Sequence, residues 1–549
     1  MSTCLFREGD AITPSDRQGF DKRWSAPNLE RVYTPLTAED ALNAAENFIT
    51  MYKHDEVQIV SGRHCYENFV YSSKTKCIVD VTGLRDFGLD KDKGYYIGTG
   101  NANWDMYQIL NNVFGKTLPA GSCYSVGLGG HVTGGGYGLL SRLYGLTVDW
   151  LTGVSIVVIR NGKAELIYCD KDNNPDLFWA VRGGGGGNFG IITHYYFKEL
   201  PRSPDYMYIS TITLPWGNIT SDILFQYFQT YAEYECDQRK DTWNNFHIFH
   251  INHKYTGDLS LSSFTYYDKH LHGNLSDFEQ ALIATTNARK QRYAGIGEIS
   301  NTPAPHIGHP AWLADNGLFL TGDDALPYRK YTYLEGTQNV NGSGANRYGK
   351  YKSAYMTTAV TRFQSDAYFN YMTIQPPGAD LSATLFQLDS YGGQINRLRG
   401  TDNPMPVSET AIVQRQSITK IQYETYWQED SQDEGANQAL AHANIKWLQD
   451  MYKAAFADQG GVPNPDIYAP STQGCYFNYC DVDLGVNNEE YSSTPGDGQI
   501  DRAMNLYFRR NYMGLYGAPS LFEIKRKWNP QNWFASSQSI PAVVAKKAA

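Results

Sequence analysis

The chain has 549 residues, 42% apolar and 19% charged, enough for two or three domains with real cores. Its formal charge of −10 disfavours a phosphate-backbone partner, so no nucleic acid is expected. No run of about eighteen apolar residues predicts a membrane span, and the eight cysteines lack CxxC spacing, so no metal is expected.

The N-terminus places Arg7, Glu8 and Asp10 where a signal peptide's apolar core would stand. A cytoplasmic location is the expectation, with secretion left open. The segment LTAEDALNAAENFITMYKH reads as a helix capped by Thr37. VQIVSG (57–62), CIVDVTGL (77–84) and GYYIGTGN (94–101) read as strands, and NWDMYQILNNVFG (103–115) as an amphipathic helix ended by Gly115. VSIVVIRNGKAELIYCD (154–170) reads as a hairpin turning at Asn161-Gly162. NPDLFWAVRGGGGGNFGIITHYYF (174–197) puts a short helix, a five-glycine backbone crossing and a strand in succession. Beyond residue 200 the texture changes to long alternating strands at 245–255, 259–268, 383–391 and 412–427. Helices intervene at 219–235, 275–288 and 434–456. Residues 293–350 lack periodicity and read as loops that could form a lid, and 500–513 reads as one helix.

Two stretches carry the chemistry. SGRHCYENF (61–69) is a tight loop whose Ser61, Gly62 and Arg63 expose backbone N–H groups suited to a pyrophosphate. His64 ends that loop with a nucleophilic ring nitrogen. PAGSCYSVGLGGHVTGGGYG (119–138) sets Cys123 in a second small-residue loop, where its thiolate can attack an electron-poor ring. The glycines here fail the dinucleotide fingerprint: Gly127 and Gly129 are followed by Val132 rather than a third glycine, and no strand immediately precedes them.

His64 and Cys123 in these strings resemble the berberine-bridge-enzyme-like flavin oxidases of the vanillyl-alcohol oxidase superfamily, and the GRHCYENF form is similar to bacterial bicovalent members. The resemblance implies an α+β fold. It consists of a two-part FAD-binding domain of the p-cresol methylhydroxylase type and a substrate domain with a large antiparallel sheet backed by helices. Expected boundaries are 1–200 for the FAD-binding domain and 201–499 for the substrate domain, with 500–549 returning to the first. It implies FAD bonded at its 8α position to His64 and at C6 to Cys123. The family usually has Gly where Arg63 stands. Further cofactor contacts implied are Cys65, Val126, Gly127, Gly130, Thr133, Gly134, Gly135 and Gly138 around the two loops. Gly190 and either Ile191 or Ile192 are expected near the adenine through backbone contacts, with Asn478 also in contact. Val126 is the position that gates oxygen in the family, and Val there goes with oxidase behaviour.

CYFNYCDVDLG (475–485) resembles a third family string and implies that Tyr479 is catalytic. An alcohol must lose its O–H proton as hydride leaves carbon, and a phenolate can take it if a cation lowers its pKa from about 10. Lys420 and Gln422 alternate onto one strand face, Lys420 as the tuning cation and Gln422 as a substrate ligand. Gln387, Asp389 and Tyr391 share another, with Asp389 or Tyr391 a second catalytic group and Gln387 a substrate contact. Tyr137 and Tyr476 complete the expected substrate contacts, and Tyr137 is also a catalytic candidate.

The first functional expectation is an FAD oxidase acting on an alcohol or hemiacetal carbon of a sugar, glycosylated compound or polyketide-like metabolite, with O2 as acceptor and H2O2 as product. Oxidative cyclisation or amine oxidation on the same flavin is a second. A non-catalytic flavoprotein binding a glycan or metabolite through a Tyr-rich sheet (41 Tyr) is a third.

Overall fold

The computed structural model describes residues 4–300, 326–340, 345–430, 432–468, 471–486, 498–514 and 517–542. Within the 293–350 stretch read as a lid, residues 301–325 and 341–344 lie outside the described residues.

Three sheets organise the chain. The first holds β1 (Phe6–Glu8), β2 (Arg31–Tyr33), β3 (Val57–Val60) and β4 (Cys77–Asp80) in the order β1-β2-β4-β3. β4 runs parallel to both β2 and β3. β3 is short and apolar, ends at Val60 and releases the chain into the His64 loop. The second sheet holds β5 (Phe87–Asp90), β6 (Gly94–Gly98), β7 (Gly153–Arg160), β8 (Lys163–Cys169) and β9 (Ile191–Phe197) in the order β5-β6-β9-β7-β8, all antiparallel. Its β7–β8 hairpin turns at Asn161 and Gly162, with φ of 53° and 74°, the left-handed pair a type I′ turn requires. The expected helices follow: Ala38–Phe48, whose Thr37 side chain accepts from the Asp40 N–H, and Asn103–Phe114, stopped by Gly115 at φ 63°.

The third sheet is seven-stranded and antiparallel. It holds β10 (Tyr206–Leu214), β11 (Asn245–Asn252), β12 (Leu259–Tyr267), β13 (Arg329–Thr332), β14 (Tyr348–Met356), β15 (Thr384–Ser390) and β16 (Thr419–Trp427). Their order is β13-β10-β12-β11-β15-β16-β14. Alternation gives this sheet two unlike faces. Phe249, Phe386 and Tyr423 turn one way and pack on rings from helices Ser221–Thr230, Arg362–Thr373 and Glu434–Ala455. Each such ring contributes about 2–3 kcal/mol by leaving water. Gln387, Asp389, Lys420, Gln422 and Glu424 turn the other way and line a cavity. The register sets Gln387 opposite Gln422 and Asp389 opposite Lys420.

Several elements differ from the sequence reading. The expected strand at 412–427 begins only at Thr419, because Gln414 and Arg415 spend their side chains on buried loop carbonyls and on Asp149. Asp149 is thereby committed to a buried ion pair with Arg415, at 2.7 Å. The 293–350 stretch is not all loop: it contains β13, helix Tyr333–Asn339 and the start of β14. The 500–513 helix is two helices, Gly498–Phe508 and Arg510–Met513, broken at Arg509, whose φ is 42°.

The C-terminal segment packs back onto the second sheet's neighbourhood. Helix Leu521–Trp528 contacts helix Pro175–Val181, and Lys527 pairs with Asp176 at 2.7 Å. Lys525 is fully buried and donates to the Asn188 carbonyl at 2.6 Å; burial pulls its pKa down to about 7.

Candidate active site

A cavity of about 380 Å³ runs between the His64 loop, the Cys123 loop, the Gly186–Gly190 crossing and the polar face of the seven-stranded sheet. Backbone contact brings the first two loops together. A Cβ on Gly62 would sit 2.1 Å from the Gly127 nitrogen, so only glycine allows that approach.

His64 stacks on Phe20 with ring centroids 4.8 Å apart, and its Nε2 lies 2.8 Å from Ser125 Oγ. Burial pulls its pKa down to about 4, so the imidazole is neutral at physiological pH and keeps a nucleophilic nitrogen. Arg63 adopts φ 60°, in the left-handed region that favours glycine. Its guanidinium is held at 2.5 Å by Asp80, with Asp16 at 3.7 Å. Cys123 lines the cavity, and its carbonyl accepts from Asn103.

On the sheet side Lys420 Nζ lies 3.0 Å from the Tyr479 hydroxyl and 3.0 Å from Asp389 Oδ2. Gln387 donates to Asp389 at 2.7 Å. Lys420 also stands 4.3 Å from the Tyr137 ring centroid, and the Tyr137 hydroxyl donates to the Ser390 carbonyl. Burial first, then Tyr66 and the Asp389 carboxylate, push the Tyr479 pKa well above 10. This corrects the expected lowering: desolvation outweighs the neighbouring ammonium, so Tyr479 rests as a phenol. Burial likewise pulls Lys420 down, opposed by Asp389, and pushes Asp389 up, opposed by Lys420.

Most of the expected site residues line this cavity. Ser61, Gly62, Arg63 and Cys65 do so from the first loop, and Val126, Gly127, Gly130 and Thr133 from the second. Gly138, Gly190, Ile192, Tyr476 and Asn478 complete its wall. Gly134, Gly135, Ile191 and Tyr391 stand outside it. A Cβ on Gly134 would strike the Asn478 amide, and Gly135 faces Ile412. Ile191 alternates away from Ile192 into a core with Ala41 and Val57. Tyr391 lies one residue past β15 and packs behind Tyr137, ring centroids 5.2 Å apart.

The sequence reading missed three groups. Tyr66 stacks on Tyr351 at 3.6 Å, and Gln422 reaches its hydroxyl at 3.4 Å. Glu424 continues the Lys420–Gln422 alternation, a signal present in KIQYE, and accepts from the Tyr426 hydroxyl at 2.9 Å. Burial pushes its pKa up to about 7 against the pull of Tyr426 and Arg347. The third is a buried bridge: Lys350 binds Glu67 at 2.6 Å and Asp481 at 2.7 Å, joining the His64 loop to the Tyr479 loop. Burial opposes the Lys350 ammonium, yet Asp481, Glu67 and Asp483 hold its pKa above the usual lysine value.

These walls fit FAD. A Cβ at Gly130 would meet no protein atom within 4 Å, and one at Gly187 only the Phe534 carbonyl at 3.9 Å. Both glycines therefore leave cavity space open to a ligand's close approach. The neutral imidazole and the thiol stand on the same cavity as the polar sheet face.

The fold and this site define an FAD-linked oxidoreductase. Residues 33–166 match the family described as FAD binding domain, and residues 475–541 the one described as Berberine and berberine like. Hexose oxidase of Chondrus crispus is 37% identical over 560 residues, covering 98% of this chain and 95% of that protein. Aclacinomycin-N/aclacinomycin-A oxidase of Streptomyces galilaeus is 28% identical, covering 95% and 87%. The solved structure of GilR, an oxidoreductase in complex with pregilvocarcin, superposes with a TM-score of 0.78 at 26% identity, covering 98% and 99%. The chain belongs to the berberine-bridge-enzyme-like FAD-linked oxidases.

Proposed function

We propose that this enzyme oxidises the hemiacetal or alcohol carbon of a hexose, or of a sugar carried on a larger metabolite, and passes the electrons to O2 to release H2O2. The observation that carries the reading is the Tyr479–Lys420–Asp389 chain, set on the same cavity as His64 and Cys123. The likeness to a hexose oxidase along almost the whole length supports the substrate class. Bound FAD would supply the hydride acceptor, covalently held at the His64 nitrogen and the Cys123 sulfur. Ser61, Gly62, Gly130, Gly187 and Gly190 would line it with backbone.

The protein's own part is proton handling and orientation. Gln387, Gln422 and Tyr476 present donors and acceptors that match sugar hydroxyls. Tyr479 acts as its phenolate, formed when the resting phenol gives its proton to solvent before the step and stabilised by the Lys420 ammonium, and the substrate hydroxyl then gives its proton to that oxygen. Asp389 keeps Lys420 charged inside a dry site. In domain terms, residues 1–200 and 500–549 hold the cofactor and 201–499 the substrate.

Two measurements test this. Intact mass of the denatured protein should include one FAD; His64→Ala and Cys123→Ala should each still leave one bond, and the double variant none. A panel of aldohexoses should release peroxide in step with oxygen uptake. Apo mass, or no turnover with any sugar, would overturn the corresponding half.

A further inference from the structure

Cys65 follows His64, and Cys480 follows Tyr479, 415 residues further along the chain. The two sulfurs are 3.8 Å apart and both residues line the cavity. Cys65 is an expected cofactor contact, but neither sulfur takes part in the proton or hydride transfer described above. The loops that carry them are already clamped together, because Lys350 holds Glu67 on one side and Asp481 on the other. The sulfurs therefore meet in a fixed frame rather than by chance collision of two mobile loops. A disulfide needs them at about 2 Å, an approach of roughly 1 Å from each side chain, within reach of rotation about the Cα–Cβ bonds.

The geometry points to a redox-active dithiol: hydrogen peroxide reaching the cavity oxidises Cys65 and Cys480 to a disulfide that ties the His64 loop covalently to the Tyr479 loop. The Cys65 thiolate attacks one peroxide oxygen. The S–O bond forms, the O–O bond breaks, and the departing hydroxide takes a proton to become water. The Cys480 sulfur then displaces hydroxide from the Cys65 sulfenic acid, forming S–S and breaking S–O, and a second water leaves. Two thiols give up two electrons and two hydrogens, and one peroxide is reduced to two waters. The two sulfurs are placed unlike: Cys65 is half-buried and Cys480 is buried. Either S–H can donate to the other sulfur, and that hydrogen bond favours the thiolate of the accepting partner. This inference rests on added peroxide alone, so it stands or falls apart from the sugar-oxidase reading.

The test uses the whole holoprotein. The protein is reduced, desalted, exposed to stoichiometric H2O2 in its folded state, then unfolded, alkylated and digested with chymotrypsin. Cleavage after Tyr476, Phe477 and Tyr479 separates Cys480 from Cys475. The expected result is a peptide pair joined through Cys65 and Cys480, released by dithiothreitol. It should form at least about ten times faster than any change at buried Cys77 or Cys169. In Cys480→Ser the oxidation should stop at the Cys65 sulfenic acid, trapped as a dimedone adduct. Cys65 and Cys480 still alkylated to the same extent as Cys77 would overturn the proposal. So would Cys65 over-oxidised in the wild type without a cross-link. Because the wild-type digest alone decides, a variant that fails to fold leaves the test intact.

Discussion

Lys420→Met removes the cation from the Tyr479 chain while keeping an unbranched apolar stem. The ammonium lies 3.0 Å from the phenol oxygen. Unit charges at that separation attract by roughly 5–6 kcal/mol at an effective dielectric of about 20. Desolvation and relaxation reduce this, and a hydrogen bond to a charged group is worth about 1.5–3 kcal/mol net. Flavin reduction by sugar should therefore slow by roughly 10- to 150-fold. The same variant leaves Asp389 buried without its cation, a loss of about 3–5 kcal/mol that Asp389 lessens by taking up a proton. Lys420→Met/Asp389→Asn removes both charges and should recover most of that stability without recovering rate. The assay is anaerobic stopped-flow bleaching of the flavin at saturating hexose across pH. The apparent pKa of the base should rise in the single variant, since its phenolate has lost a stabilising charge. Reduction within about threefold of wild type at every pH, with an unmoved profile, would refute the assignment of Lys420 to the proton step.

Two further outcomes follow from the cavity. Glu424 has a folded pKa of about 7 against an ordinary 4.5, so between those values the folded protein binds a proton that the unfolded chain has released. Stability should fall as pH rises through that window, and above pH 7 the ionised carboxylate costs up to about 3 kcal/mol. Glu424→Gln keeps an acceptor for the Tyr426 hydroxyl and should be more stable than wild type at pH 8, an advantage that vanishes near pH 4.5, read by denaturant unfolding. Equal midpoints at both pH values would contradict the raised pKa that burial gives this group. Val126 lines the cavity three residues past Cys123. Val126→Leu adds volume there and should slow reoxidation by O2 about tenfold or more while anaerobic reduction changes by less than about twofold. Equal slowing of both half-reactions would mean that Leu disturbs the substrate rather than oxygen.

Much of this protein is legible in contiguous strings. The β7–β8 hairpin follows from Asn161-Gly162, the Gly115 helix stop from one residue, and the polar sheet face from the two-residue period of Lys420 and Gln422. The loops bearing His64 and Cys123 are similarly local: a tight turn and a close backbone approach are encoded by the few residues that make them. Carried to the strand's end, the same alternation reaches Glu424, a residue that the sequence reading stopped short of. It fails at Tyr391 and at 412–418, where the strand stops because side chains serve loops distant in sequence. What the tertiary structure alone decides is electrostatic. Tyr479 is a phenol rather than a phenolate because burial from all sides outweighs one ammonium, and no local pattern reports that balance. Arg63 turns to Asp80 and Asp16, and Lys350 joins Glu67 to Asp481, because three sheets bring those charges together. Sequence determines which groups are available and which way each strand points them. Packing determines how dry the site is, and dryness sets the protonation state on which the chemistry depends.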